Sequence, residues 1–410
     1  MTTTVEVNPT FNPLAHRNDP DAFRAELRAW LEATVPPGWQ AKMHSADERD
    51  QLVFQRWWLN EMAKIGLAAP HWPKEWGGLG LPLGLQAIAY EEIARVDAPD
   101  LGVFTANLYH LPATLFGHGT PVQRERYLAP AKAGETVWSQ AFSEPGAGSD
   151  LASLRTRAER RRTADGRDVY IVNGHKIWSS YSTLSDYCLL LARTDPTEAR
   201  HKGISYFILD MKAAGLTVKP ITQITGESEF AEIFFDDVEI PAENLIGAEH
   251  DGWRIAQATL AAERGLIVFD MCERLMRSFR RELELGRETW FTDPQARRDY
   301  ALLYGELRGV RLLIRRLLHD TEHQPEMGGT TLPSYIKLRW AGLLQAYNDF
   351  LMRVGGLAAH IENDAVSGTG FHTGRRVNDF LKSYAWTISG GTSEIMRTVI
   401  AERNLGLPKG

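Results

Sequence analysis

Cysteine is almost missing from this chain, whose 410 residues include only Cys188 and Cys272. Two thiols cannot build a disulfide framework or a cysteine-rich metal site, and they suit a reducing compartment, so we expect a cytoplasmic protein. No run of about 18 apolar residues exists, which argues against a transmembrane helix. Residues 1–20 also lack the basic and apolar regions of a signal peptide, and their proline and asparagine content predicts a poorly ordered lead-in.

A surplus of basic residues is missing as well. The chain has 46 lysines and arginines against 52 aspartates and glutamates, a net charge of −6, so no global positive field for nucleic acid exists. The sequence lacks a G-x-G-x-x-G stretch behind a strand, a Walker A loop, an H-E-x-x-H pair and a G-x-S-x-G elbow. Its 12 histidines show no ligand spacing, so we predict no metal site.

What is present is an ordinary globular composition, with 43% hydrophobic and 24% charged residues, in a chain too long for one core. Residues 21–134 carry apolar residues at helical spacing, residues 135–246 contain six or seven short strand patterns, and residues 247–410 are helical again. The sequence therefore predicts an α+β protein with an N-terminal helical domain, a middle β-barrel or β-sandwich and a C-terminal helical domain. Within the β block, Asn173-Gly174 predicts a two-residue hairpin.

A glycine pair near the C-terminus precedes a short amphipathic pattern. Gly390 and Gly391 are followed by Thr392, Ser393 and Glu394, and then by apolar residues at helical spacing. The pattern predicts a flexible turn that opens directly into a helix. The free N–H groups at such a helix start can hold an anion or a carbonyl oxygen, although an ordinary capped helix has the same signature.

One carboxylate interrupts an apolar helical stripe. Glu263 has Thr259, Leu260, Leu266 and Ile267 as its neighbours three and four residues away, so no helical neighbour offers a compensating charge. The side chain is therefore either exposed at the edge of the stripe or desolvated in a pocket. In the second case burial would raise its pKa and make it a stronger base.

Six segments of this chain, taken together and in this order, resemble the acyl-CoA dehydrogenase family over nearly the whole length beyond the lead-in. They are WPKEWGG near residue 72, FSEPGAGSDL at 142, NGHKIWSS at 173, FFDDVEIPAENLIG at 234, LAAERG at 260 and ISGGTSEIMRTVIAERNLG at 388. The resemblance implies an N-terminal helical domain, a middle β-domain and a C-terminal four-helix bundle, which is the order that the patterns predict independently.

The resemblance also implies a reaction, the FAD-dependent α,β-dehydrogenation of an acyl-CoA thioester to the trans-2-enoyl-CoA, within acyl-CoA or lipid catabolism. In that chemistry a carboxylate takes the α-proton while a hydride leaves the β-carbon for flavin N5. The thioester carbonyl is polarised by hydrogen-bond donors, because the α-proton is otherwise too weak an acid. Electrons then pass to an acceptor, typically electron-transferring flavoprotein.

Five residues of the β block and one after it take their roles from the resemblance. Phe142 and Ser143 would lie against the isoalloxazine, Trp178 would pack beside it and Ser180 would face N5. The hydroxyl positions more often hold threonine in the family, and serine keeps the donor. Ser149 would meet FAD and the CoA moiety, and Arg264 would lie near the CoA and the flavin.

Further FAD contacts are implied in the C-terminal half, some of them across subunits of a homotetramer or homodimer. Arg287 resembles the start of a segment that reaches the FAD pyrophosphate of a neighbouring subunit. Gly355 and Gly356 resemble a glycine pair that lets FAD approach the backbone. Thr392 and Glu394 begin the C-terminal helix near the cofactor.

The chain departs from the family pattern at Gly390. Many members carry the catalytic glutamate at this position, where this chain has no side chain. A smaller set of members places the base on the long helix, within a stretch like Leu260–Arg264. We therefore predict Glu263 as the catalytic base, with the Gly390 N–H as a donor to the thioester oxygen and thus part of the substrate site.

Two alternatives stay open at this point. The same fold also serves flavin monooxygenases and oxidases, and some relatives are one subunit of a heterotetramer that shares FAD between unlike chains. The identity of the acyl group, whether straight, branched, aromatic or steroid-derived, does not follow from the resemblance.

Overall fold

The computed structural model describes residues 11–43, 47–198, 200–262, 266–323, 332–360 and 376–408. Two of the predicted site residues, Glu263 and Arg264, lie outside the described residues. Within them, no helix combines the length and the apolar character that crossing a membrane requires.

The N-terminal part is helical because its apolar residues fall on one face of each helix. In the first helix, Asp19 accepts a hydrogen bond from the Ala22 N–H at the N-cap, and Phe23, Leu27 and Leu31 are fully buried. Phe11, within the predicted lead-in, packs edge-on against Phe23 at 5.3 Å between ring centroids. The elements are α1 Pro20–Thr34, α2 Trp39–Met43, α3 Glu48–Lys64, α4 Leu83–Arg95, a one-turn π-helix Ala106–His110, α5 Leu111–His118 and α6 Pro121–Lys132.

The middle part is a single eight-stranded mixed sheet, built from the strand patterns that the sequence predicts. Its strand order is β6-β7-β3-β2-β4-β5-β8, with β1 parallel to β4. Alternate side chains of the long strands enter a core around Tyr170, Phe207 and Val238. The strands are β1 Trp138–Ala141, β2 Arg157–Arg162, β3 Asp168–Ser180, β4 Tyr187–Arg193, β5 Ile204–Asp210, β6 Leu216–Ile221, β7 Phe230–Pro241 and β8 Leu245–Ile246.

The predicted hairpin at Asn173-Gly174 is wrong, because β3 runs through it without turning back. The pair instead forms an irregularity at which the register of β3 against β7 shifts. The Asn173 amide donates to the Asp237 carboxylate at 2.8 Å and accepts the Asp237 N–H at 2.9 Å, so the side chain replaces the interrupted backbone pairing. Asn173 and Gly174 thus form a β-bulge, and the glycine allows the backbone to pack closely against Thr156.

Gly174→Ala tests this close packing. An added Cβ would lie 2.5 Å from Thr156 Oγ1 and 2.7 Å from Thr156 Cα, and the backbone has φ +154°. We expect the free energy of unfolding to fall by about 1–3 kcal/mol, as measured by chemical denaturation. The control is Gly305→Ala in a helix, where nothing lies within 4 Å and alanine should stabilise by up to about 1 kcal/mol. Equal stability of the two variants would contradict the interpretation.

The C-terminal part is helical again, which confirms the predicted helical, β, helical order. Its core lies among α8, α9 and α10, where Phe279 stacks on Tyr347 with centroids 3.8 Å apart. The helices are α7 Gly252–Ala262, α8 Leu266–Gly286, α9 Pro294–His323, α10 Leu332–Ala359, α11 Arg376–Ser383 and α12 Ser393–Val399.

A chain of buried hydroxyl groups joins the three parts. The Thr114 hydroxyl of α5 donates to the His110 carbonyl at 2.7 Å, so its proton is committed. Thr259 of α7 therefore donates to Thr114 at 2.7 Å, and Tyr206 of β5 donates to Thr259 at 3.2 Å. All three hydroxyl-bearing side chains are fully buried, so this contact fixes the β-sheet and α7 against the N-terminal helices.

Candidate functional site

Two distant segments of the sequence meet near the C-terminal end of β3. The Ile177 N–H donates to the Ser143 carbonyl at 3.0 Å, and the Lys176 ammonium donates to the Phe142 carbonyl at 2.9 Å. The structure therefore brings Phe142 and Ser143 directly beside Trp178. These residues were predicted to lie on one cofactor.

Trp178 is held in an unusual backbone conformation that turns its ring outward. Its φ is +63°, in the left-handed region that a large side chain rarely adopts, and the register against β7 shifts between Lys176 and Ser179. The indole is 57% exposed, and its ring meets Phe230 edge-on at 6.0 Å between centroids. Ser180, half-buried, follows within the same strand. Strain of this kind accumulates at ligand sites, and an exposed aromatic face suits a flat ring.

A buried ion pair fixes the loop that precedes this junction. Lys176 is fully buried, and its ammonium lies 2.8 Å from Glu144 Oε1. The Glu144 carboxylate also accepts the backbone N–H groups of Arg155 at 2.7 Å and Thr156 at 2.9 Å. Burial lowers the pKa of Lys176 to about 8, and burial alone would raise that of Glu144, but the ammonium and the backbone donors hold the carboxyl pKa below its usual value.

This pair was not predicted, because a lysine between His175 and Ile177 has no local signal of burial. The loop it fixes continues to Ser149, which is exposed.

The C-terminal turn has the geometry that the sequence predicts. Gly390 and Gly391 have φ of +64° and +93°, conformations that glycine tolerates best. The Thr392 hydroxyl accepts the Ile395 N–H at 3.2 Å and caps α12. Glu394 is exposed, and its carboxylate pairs with the next turn of the helix at Arg397. Gly390 has no side chain, at the position where the family resemblance implies that many members carry their base.

Helix α11 ties this C-terminal segment to the end of β3. The Lys382 ammonium lies 2.6 Å from Glu227 and 3.9 Å from Glu229, both in the connection that leads into β7. The Tyr181 N–H, one residue beyond Ser180, donates to the Glu229 carbonyl at 2.7 Å. The segment that precedes Gly390 is therefore anchored at the same end of the sheet as Trp178.

Three further predicted residues, Gly355, Gly356 and Arg287, lie in the C-terminal helical part. Gly356 has φ +56° and ψ −148°, which breaks the regular helix, and a Cβ on Gly355 would lie 2.2 Å from the Arg376 guanidinium and 2.6 Å from Ala359 Cβ. Packing within the chain thus already requires glycine at 355. Arg287 is exposed in the turn after α8. Their contacts with FAD remain predictions.

Comparison with known proteins places this architecture. Sequence profiles of the acyl-CoA dehydrogenase N-terminal, middle and C-terminal domains match residues 17–135, 139–238 and 250–405. Acyl-CoA dehydrogenase IpdE1 of Mycobacterium tuberculosis is 37% identical over 397 residues, which is 95% of this chain and 98% of the relative. The chain belongs to the acyl-CoA dehydrogenase family. This confirms the resemblance that the six segments carry, and makes the protein an oxidoreductase acting on acyl-CoA.

Solved structures of acyl-CoA dehydrogenases share the whole fold. The Tcur3481-Tcur3483 steroid ACAD is 26% identical, with a TM-score of 0.82 over 98% of this chain and all of that one. The ChsE4-ChsE5 complex from Mycobacterium tuberculosis is 27% identical, with a TM-score of 0.77 over the full length of both chains. The second is a complex of two differently named proteins, and the first also carries two protein names.

The β3 junction of this acyl-CoA dehydrogenase fits the flavin that the family implies. The exposed indole of Trp178 offers a ring face. Ser143 and Ser180, both half-buried, offer hydroxyl groups close to it. The two glycines of the C-terminal turn leave backbone N–H groups uncovered by side chains. Phe142, Ser143, Trp178, Ser180 and Thr392 would hold FAD here.

Proposed function

We propose that this acyl-CoA dehydrogenase converts an acyl-CoA to its trans-2-enoyl-CoA, with Glu263 as the base. The supporting observation is the junction of Phe142 and Ser143 with the exposed, left-handed Trp178. It supplies a ring-binding surface at the end of the sheet to which the C-terminal turn is anchored. That turn carries Gly390 in place of a carboxylate, so the proton must be taken by another group.

Each residue of the proposed active site has a separate role in catalysis or binding. Glu263 accepts the α-proton, and the Gly390 N–H donates to the thioester oxygen and stabilises the negative charge that develops there. Ser149 and Arg264 bind the CoA moiety. The buried Lys176–Glu144 pair holds the loop that carries Phe142 and Ser143 in position. Phe142, Ser143, Trp178, Ser180 and Thr392 would hold FAD, which would supply the hydride acceptor for the β-carbon.

The proposed reaction also implies a cellular location, an electron acceptor and an oligomeric state. We place the enzyme in the cytoplasm, in the breakdown of acyl-CoA or lipid, with electron-transferring flavoprotein as its electron acceptor. Arg287, Gly355, Gly356, Thr392 and Glu394 would contact FAD within a homotetramer or homodimer. The two-protein relatives favour one alternative, in which this chain is a subunit of a heterotetramer.

Anaerobic titration of the FAD-loaded protein with a panel of acyl-CoA esters tests the function. We expect at least one ester to bleach the flavin and to yield the enoyl-CoA, with slow reoxidation in air. Rapid reoxidation by oxygen would indicate an oxidase or monooxygenase instead. The absence of bleaching by every ester, despite a full FAD content, would overturn the proposal.

The FAD content of the chain purified alone tests the subunit alternative. One FAD per chain supports a homo-oligomer. A protein that binds FAD only after addition of a second, unlike chain would show that the heterotetramer is the active form.

A further inference from the structure

A polar cluster lies among the helices next to the proposed active site. The Tyr90 hydroxyl of α4 is hydrogen-bonded to the Tyr109 hydroxyl of the π-helix. His71 stacks on the Tyr109 ring at 5.0 Å and 7°, and its Nε2 donates to the Leu108 carbonyl at 3.0 Å. Burial, and in addition the charge of Asp270 in α8, raises the pKa of both phenols, so Asp270 lies near them and belongs to the cluster. Its Oδ2 accepts from Arg274 at 2.9 Å. A π-turn inside a helical domain often marks a functional site.

The cluster lies beside the chain stretch that carries the proposed base. Helix α4, which carries Tyr90, packs on α8, and the π-helix, which carries Tyr109, packs on α7. Residues 263–265 join these two helices in the sequence. Asp270 lies four residues after Leu266, about 6 Å along the helix axis. An acyl group whose α-carbon meets Glu263 would therefore extend toward the cluster.

The cluster is also linked to the flavin side of the proposed site. The Asp100 carboxylate adds to burial in raising the pKa of both Asp270 and Tyr181. A Cβ on Gly102 would lie 3.1 Å from the Tyr181 hydroxyl and 3.3 Å from Asp100, so these groups are close. Because Tyr181 directly follows Ser180, the cluster lies between the end of β3 and helix α8.

The cluster contains one hydrogen-bond donor and two acceptors that have no partner among the described residues. Two phenols that share one hydrogen bond commit one of their two protons, and the other proton has no acceptor among the described residues. Two buried acceptor atoms, Asp270 Oδ1 and His71 Nδ1, have no donor there either. Burial raises the pKa of Tyr109 to about 12 and lowers that of His71 to about 4, so the phenol stays protonated and the imidazole neutral at neutral pH.

Unpaired buried polar atoms destabilise a fold, so a folded protein retains such a group where something else satisfies it. A hydrocarbon chain could not do so, because it offers neither a donor nor an acceptor. A hydroxyl group offers both, and it could accept the free phenol proton while donating to Asp270 Oδ1. A ketone could accept the phenol proton alone.

We propose that Tyr90, Tyr109 and Asp270 form a subsite for an oxygen substituent, a hydroxyl or a ketone, on the acyl group of the substrate. This inference rests on the proposed function and narrows it from any acyl-CoA to an oxygenated one. An acyl group without the oxygen would bind more weakly, because it would leave the phenol and the carboxylate unpaired when it displaces water. The subsite therefore selects for oxygenated acyl groups.

The test compares matched esters on the FAD-loaded enzyme. Cyclohexylpropanoyl-CoA is compared with its ring-hydroxylated and ring-keto derivatives, and octanoyl-CoA with its terminally hydroxylated derivative, by kcat/KM for flavin reduction and by calorimetric binding. We expect at least one oxygenated ester to exceed its parent by about tenfold or more. The Tyr90→Phe, Tyr109→Phe and Asp270→Asn variants should each reduce that ratio by about tenfold, the loss of one buried hydrogen bond. Preference for the hydroxyl over the ketone would identify Asp270 Oδ1 as an acceptor.

Tyr300→Phe is the control, since it removes a buried phenol that donates to the Phe279 carbonyl at 2.9 Å in the C-terminal core. It should leave the ratio unchanged. Equal or better reduction by every parent ester, or equal ratios in wild type and the cluster variants, would overturn the subsite. That result differs from failure of the proposed function, in which no ester of either kind bleaches the flavin.

Discussion

Glu263→Gln should retain FAD and bind acyl-CoA, yet reduce its flavin about 10² to 10⁴ times more slowly than wild type. A glutamine has the size of the glutamate and lacks its basicity, so only proton removal is lost, and a positioned general base contributes rate factors of this size. The absence of a side chain at Gly390 leaves Glu263 as the carboxylate that the family pattern supplies. Stopped-flow absorbance under anaerobic conditions measures the rate.

A second readout separates the proton step from the redox step. In D₂O, wild-type enzyme should exchange the α-hydrogen of a bound, non-oxidisable acyl-CoA analogue, as seen by NMR, and Glu263→Gln should not. Glu284→Gln, which changes an exposed carboxylate of α8, is the matched control and should behave as wild type. Near-normal bleaching or exchange in Glu263→Gln would show that another group is the base.

Lys176→Met should lose about 3–5 kcal/mol of unfolding free energy at neutral pH. Methionine has a similar length, but it leaves the Glu144 carboxylate buried with only backbone donors, and breaking one side of a buried ion pair typically has this cost. Because the pair fixes the carbonyl of Phe142, the variant should also release FAD at lower denaturant concentrations. Urea unfolding followed by far-UV circular dichroism and flavin fluorescence measures both effects.

Two further variants show whether the pair itself is responsible. Adding Glu144→Gln to Lys176→Met removes the unpaired charge and should restore part of the lost stability, which makes a double-mutant cycle. Lys212→Met removes an exposed lysine whose side chain is 78% accessible and which lies 3.1 Å from Asp186. Solvent screens such a surface pair, so its loss should change the stability little. If Lys176→Met were no less stable than Lys212→Met, the interpretation of the buried pair would be wrong.

The order of the three parts was predictable because burial imposes different periods on helices and strands. The mistake at Asn173-Gly174 has a physical cause: the pair suits a tight turn, but here the side chain of Asn173 bridges to Asp237 and the glycine admits Thr156. A local pattern contains no information on which strand lies beside it. Only the tertiary contact distinguishes a hairpin from a bulge.

The candidate flavin residues follow from the family resemblance and their contacts with FAD stay predictions, whereas the contact between Tyr90 and Tyr109 depends on packing that local sequence patterns do not contain. Asp270 lies four residues after Leu266 and three after Ile267, on the same apolar stripe that drew attention to Glu263. The argument made for Glu263 gives no signal for Asp270, because Arg274, four residues later, offers a compensating charge. Tyr90 and Tyr109 had no such signal, because a tyrosine at helical spacing is ordinary core until its hydroxyl partner is known.

Exchange of domains between relatives is restricted by the hydroxyl chain from Tyr206 through Thr259 to Thr114. Each member comes from a different part of the enzyme, and each hydrogen bond has one possible direction. A chimaera that takes one part from a relative without the matching hydroxyl would bury an oxygen with no partner, at a cost of about 1–3 kcal/mol. We therefore expect a chimaera to be more stable when all three hydroxyl positions are exchanged together than when one is exchanged alone.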